Sequence, residues 1–173
     1  KEYRRQRQMC IRDRSYATLN ANIRLNKLDD QIKALCFAGG KETNLLQLYM
    51  KDPSSGASHN SIDSNTNQFG VFEVTGLQSV VAVKLDDLLN LKGVPSPDHI
   101  KLDVDGKETE ILQGASNVLT AVKSILIEIE GSNLEKNLII IEEIIFESGL
   151  TEDLSWRGKG SGRNRLYKRD IST

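Results

Sequence analysis

The chain has 173 residues, 38% of them hydrophobic and 5% aromatic, and a formal net charge of -1. That is length for one domain with an ordinary soluble α/β core. Cysteine is confined to Cys10 and Cys36, which argues against a disulfide framework or a cysteine-rich zinc site and for a reducing, cytoplasmic setting. Asn137 to Phe146 is greasy but short and interrupted by Glu142 and Glu143, so it reads as a buried helix and not a membrane span. Nothing resembles a cleavable signal peptide.

Residues 1–14 carry Lys1, Arg4, Arg5, Arg7, Arg12 and Arg14 against Glu2 and Asp13. This basic arm has no apolar periodicity and no aromatic interleaving beyond Tyr3, so nucleic-acid binding is not expected of it. Met9 to Ser15 resembles translated sequencing adapter, and residues 1–15 are read as a non-native or disordered arm ahead of a domain spanning 16–173.

From Tyr16 to Leu28, Tyr16, Leu19 and Ile23 recur at helical spacing and predict a short amphipathic helix closed by Asp29-Asp30. Gln31 to Ala38 reads as a strand with a Gly39-Gly40 turn, and Thr43 to Met50 as a second extended stretch. Pro53 to Ser61 is small, polar and aperiodic, a surface loop that either connects or reaches over a neighbouring site. Phe69 to Val74 and Gln78 to Lys84 are β-rich runs joined by Thr75-Gly76-Leu77, which predicts paired strands. Asp86 to Leu89 opens a brief helix. Val94-Pro95-Ser96-Pro97 breaks it and delivers the chain into a strand from His99 to Val104. One helical stripe follows, on Ile111, Leu112, Ala115, Val118 and Leu119. After it come a strand from Ser124 to Glu130, a helix from Leu134 to Glu147 with Gly149 as its cap, and a glycine-rich loop ending in a strand from Asn164 to Lys168. Strand, helix, strand, helix in this order builds parallel crossovers.

The densest chemistry lies in Lys101-Leu102-Asp103-Val104-Asp105-Gly106-Lys107-Glu108, where a strand turns into a helix. In open α/β sheets ligands bind beyond the carboxyl ends of strands. Strand alternation puts Lys101, Asp103 and Asp105 on one face, and likewise Glu128 with Glu130. If the two strands are parallel neighbours, Asp103, Asp105 and Glu130 converge at one rim with Glu128 a step deeper, a cluster suited to a metal, sulfonium or ammonium cation. Simpler roles compete: Asp105 and Glu108 fit a helix capping box, and Lys101 can neutralise Asp103. Glu128, between Ile127 and Ile129, is costly to bury unless paired or used. His99 sits at the entering end of its strand and reads as structural, whereas His59 in the polar loop is either a solvated side chain or a base. Arg157 to Arg163 has the glycines of a phosphate loop but lacks the strand-to-helix setting, and reads as a hairpin tip. No spacing diagnostic of a metal site occurs.

Ile100-Lys101-Leu102-Asp103-Val104-Asp105-Gly106-x-Glu108, then Glu110-Ile111-Leu112-x-Gly114-Ala115 and Ile125-Leu126-Ile127-Glu128-Ile129, closely resemble the FkbM-type methyltransferases. Leu19-x-x-Asn22-Ile23-x-Leu25-Asn26 and Val83-x-Leu85-Asp86-Asp87-Leu88-Leu89 resemble further segments of that family, so the likeness runs over about residues 16–169. The resemblance implies a Rossmann-like class I methyltransferase sheet and S-adenosylmethionine as cofactor. It also implies methyl transfer to a hydroxyl of a small molecule or sugar, with no nucleic-acid or membrane partner. It places Asp103 beside the transferring methyl and makes Glu128 or Glu130 the base or substrate holder. Phe37 and Ala38 then border the adenine, and Asp105 and His59 face the acceptor. The family's first two core strands, with their glycine-rich cofactor turn, have no counterpart here. The expectation is therefore an incomplete sheet that is inactive by itself. The different-class alternatives are a non-catalytic protein-binding α/β module and a divalent-metal hydrolase using Asp103, Asp105 and Glu130.

Overall fold

The computed structural model describes residues 11–52, 60–67, 70–104, 106–129, 134–159 and 162–170. Helix α1 (Ile11–Leu25) begins ahead of Tyr16 and stops short of Leu28. It stops because Lys27 turns to φ 56° and the Leu28 N–H donates back to the Ile23 carbonyl at 3.0 Å. That left-handed closure satisfies carbonyls the helix leaves open.

The strand predicted over Gln31 to Ala38 does not form. Strand β1 is Ala38–Gly40, so the glycines predicted as a turn are strand residues. It runs parallel to β6 (Gly76–Lys84), with Ala38 opposite Ala82 and Gly40 opposite Lys84. A Cβ at Gly39 would lie 3.1 Å from two Ile111 carbons, so small residues serve close approach here and not chain reversal. Strand β2 (Asn44–Met50) matches its prediction and pairs antiparallel along its whole length with Gly76–Ala82 of β6, while β3 (Ser61–Ile62) lies on its far edge. The predicted pairing of Phe69–Val74 with Gln78–Lys84 is replaced. Among the described residues of that stretch only β5 (Gly70–Val71) is a strand, and it pairs with β4 (Thr66–Asn67). β6 takes the long apolar β2 as its neighbour, and the Thr75 N–H bonds the Met50 carbonyl at 2.8 Å. Backbone hydrogen bonding along a seven-residue ladder outweighs the local hairpin.

Helix α2 (Leu85–Leu88) leads through the proline-rich turn into β7 (His99–Leu102). The single helix predicted next is two: α3 (Glu108–Gln113) and α4 (Ser116–Ala121). The break has a cause outside the segment. Asp86, with a side chain 5% exposed, accepts from the backbone N–H groups of Asn117 and Val118 at 2.9 and 3.0 Å, and its own N–H donates to the Gly114 carbonyl at 3.0 Å. A carboxylate from α2 thus caps the start of α4 and forces a new helix there.

Strand β8 (Ser124–Glu128) lies parallel to β7. Helix α5 (Leu134–Glu147) has the bounds the sequence predicts, and Gly149 caps it at φ 76°. Like β3 and β4, β9 (Leu150–Glu152) and a 3-10 turn at Leu154–Trp156 were not foreseen. Strand β10 (Asn164–Arg169) inserts antiparallel between β8 and β9, giving the order β7-β8-β10-β9. The core sits on one face of this sheet. Ile125, Ile127 and Ile129 alternate inward beneath Leu112, Leu119, Ile141, Ile145 and Leu150, each worth about 1.5–3 kcal/mol when fully buried.

Arg169 ties the helices to the sheet. Its guanidinium donates to the carbonyls of Leu119 at 2.7 Å, Ser148 at 3.0 Å and Val122 at 3.1 Å, which are the open C-terminal ends of α4 and α5. Arg169→Ala is expected to destabilise the domain by about 2 kcal/mol in denaturant unfolding. Arg169→Lys should recover only part, because a point ammonium cannot reach both helix ends in one plane.

Candidate active site

The β7 and β8 ladder aligns Lys101 with Leu126 and Leu102 with Ile127, so the next step sets Asp103 level with Glu128. Glu128 is therefore beside Asp103 and not a step deeper. Lys101 Nζ donates to Asp103 Oδ2 at 2.7 Å, and both side chains are substantially exposed, 63% and 43%. That hydrogen bond, with a second contributed by Glu128, holds the Asp103 carboxyl below the usual carboxylate range. Lys101 in turn is held above its ordinary value, chiefly by Asp103. The three side chains form one charged group at the carboxyl ends of two parallel strands.

The loop after β7 is fastened by Glu108. Its side chain is buried and accepts from the Gly106 N–H at 3.1 Å. The N-cap position of α3 falls on Lys107, without a side-chain bond, and Glu108 is the first helical residue, so its bond to the Gly106 N–H replaces the capping box the sequence predicts. His99 Nδ1 lies 2.8 Å from Ser124 Oγ across the strand pair.

Of two cavities in the domain, one includes Lys101 of this group. An apolar one of about 460 Å³ runs along β7, lined by His99 to Leu102 together with Phe37, Gly39, Leu85 and Ile111. Phe37 and Gly39 share a face of their segment. Ala38 between them is not part of the lining and serves the pairing with Ala82. A second, polar cavity of about 260 Å³ lies between the β1–β2 turn and the start of α3, and Gly39 lines both. Sequence reading missed this one, because its residues come from three distant segments that meet only in the fold. Asp105, Glu130 and His59 lie outside the described residues. Among the described residues no three His, Cys, Asp or Glu side chains are grouped to hold a metal ion, and no helix is long and apolar enough to cross a membrane.

A family model described as the methyltransferase FkbM domain matches residues 8–149, beginning inside the basic arm. A curated relative, the hexuronic acid methyltransferase AglP of Haloferax volcanii, is 28% identical over 80 residues. That alignment covers 46% of this chain and 32% of the relative, so the chain matches about a third of its length. No solved structure matches significantly.

Proposed function

The chain belongs to the FkbM methyltransferase domain family, and we propose that it forms the acceptor-side and carboxyl-terminal part of an S-adenosylmethionine-dependent O-methyltransferase. Its substrate in this reading is a hydroxyl of a small molecule or sugar. The observation that carries the reading is Asp103, level with Glu128 and paired at 2.7 Å with Lys101, which lines the apolar cavity. A sulfonium donor combines an apolar ring with a fixed positive charge, and these residues offer a surface for each: Phe37 for the ring and Asp103 for the charge. When bound, the cofactor supplies an activated methyl group for in-line displacement. Glu128 or Glu130 holds the acceptor hydroxyl or takes its proton, and Glu128 does so only after giving up the hydrogen it donates to Asp103. Asp105 and His59 contact the acceptor. The name of the Haloferax relative, a hexuronic acid methyltransferase, supports a sugar as the acceptor class.

The finer fold in this reading is a Rossmann-like class I sheet lacking its first two core strands, located in the cytoplasm. Among the described residues β7 has no strand on its outer edge, and the apolar cavity runs along that edge. An edge of this kind accepts further strands. With those strands absent, the isolated chain transfers no methyl group.

Calorimetry with S-adenosylmethionine tests this on the chain as given and on one extended through the adjoining upstream coding sequence. Heat of binding is expected from the extended chain. No cofactor heat from either overturns the proposal and leaves a protein-binding module. Thermal stabilisation by a divalent metal, without cofactor heat, would instead favour the hydrolase.

A further inference from the structure

We propose that the polar cavity between the β1–β2 turn and α3 is a sugar-binding subsite that takes a neutral pyranose ring. This deepens the methyltransferase reading, on which it rests for the identity of the neighbouring apolar cavity. Three observations carry it. The first is composition: Lys41, Asn44 and Lys107 supply donors, Glu42, Asp63 and Glu110 supply carboxylate acceptors, and Leu46 and Ile62 supply an apolar patch. A sugar ring needs that combination, since its hydroxyl edge both donates and accepts while its C–H face is apolar.

The second is that the walls are held before any ligand arrives. Lys107 Nζ pairs with Glu110 at 2.9 Å. The Asp63 N–H donates to the Gln47 carbonyl at 2.8 Å, with Asp63 itself fixed in the left-handed region at φ 62°. In the β1–β2 turn, Thr43 Oγ1 donates to Asp87 Oδ2 at 2.6 Å and accepts from the Lys84 N–H at 3.0 Å. Preorganised polar groups bind without first losing side-chain freedom. The third is position: Gly39 is common to both cavities, so a ring in the polar one lies next to the apolar one. In-line transfer requires that adjacency of acceptor and donor.

Charge decides the class of sugar. The lining holds three carboxylates against two lysines, and one of those lysines is already paired. A uronic acid or sugar phosphate meets net repulsion, and a neutral ring does not.

Every lining residue is in this chain, so binding is measured on the chain itself, without cofactor, by NMR titration. Methyl glucopyranoside, methyl glucopyranosiduronate and cyclohexanol are the probes. The neutral glycoside is expected to bind and to shift the amides of residues 39–44 and 63. The uronate should bind about tenfold more weakly. The Glu42→Gln, Asp63→Asn double variant, which keeps side-chain volume and a residue tolerant of positive φ, should weaken the glycoside about tenfold. Absence of glycoside binding overturns the proposal, as does binding of cyclohexanol with equal affinity, uronate binding as tight as that of the glycoside, or an unaffected double variant. None of these outcomes depends on S-adenosylmethionine, so the proposal can fail while the methyltransferase reading stands, and the reverse.

Discussion

Gly114→Ala is expected to destabilise the domain by about 3 kcal/mol or more, lowering the thermal midpoint by on the order of 10 °C. A Cβ at position 114 would stand 2.2 Å from the Gly40 carbonyl oxygen and 3.2 Å from the Gly40 carbonyl carbon and the Lys41 Cα. These are backbone atoms, with no flexible end to swing aside. Either β1 or the α3–α4 junction must move. Moving β1 breaks its parallel pairing with β6, and moving the junction takes the Gly114 carbonyl away from the Asp86 N–H. The effect reaches the site, because Gly39 and Gly40 line the cavities and Ile111 on α3 packs against Gly39. Sugar binding should therefore weaken in Gly114→Ala even at temperatures where the variant is folded. An unchanged thermal midpoint would show that β1 and α3 are not in close contact, and would separate the two cavities.

What was legible in the sequence was local. Periodicity placed α5 and β2, and proline and glycine placed the entry to β7 and the cap at Gly149, because each of those signals acts on its own segment. The pairing of β7 with β8 followed from the strand-helix-strand order. What escaped depended on contacts from afar. The break between α3 and α4 is made by Asp86 on another element, the partner of β6 is β2 and not the nearer run, and β9 exists because β10 offers it an edge. At the site, alternation grouped Lys101 with Asp103 correctly, but register is a property of two strands and put Glu128 level with Asp103. The polar cavity gave no signal at all, since Lys41, Asp63 and Lys107 meet only after folding.

The acids at the rim are expected to divide their labour, and paired substitutions separate them in a chain carrying the whole domain. Methyl transfer cancels the positive charge of a sulfonium donor, so a carboxylate beside that charge stabilises the bound donor more than the transition state. Asp103 suits this role: the Lys101 hydrogen bond holds its pKa down, which makes it a poor proton acceptor and a durable negative charge. Asp103→Asn should weaken cofactor binding about tenfold and change kcat less. Glu128→Gln should leave cofactor binding near normal and lower kcat about a hundredfold, the usual loss when a general base is removed. The pH dependence has a definite sign. Because the folded value for Asp103 lies below the unfolded carboxylate value of about 3.9, its contribution to cofactor binding is complete above that pH and is lost only as pH falls through the depressed folded value. Lys101→Met should move that acid limb upward, towards the ordinary carboxylate range, by removing the larger of the causes that hold Asp103 down. A loss confined to kcat in Asp103→Asn, with cofactor affinity intact, would exchange the two roles, and undiminished transfer in both variants would take the β7–β8 rim out of the mechanism.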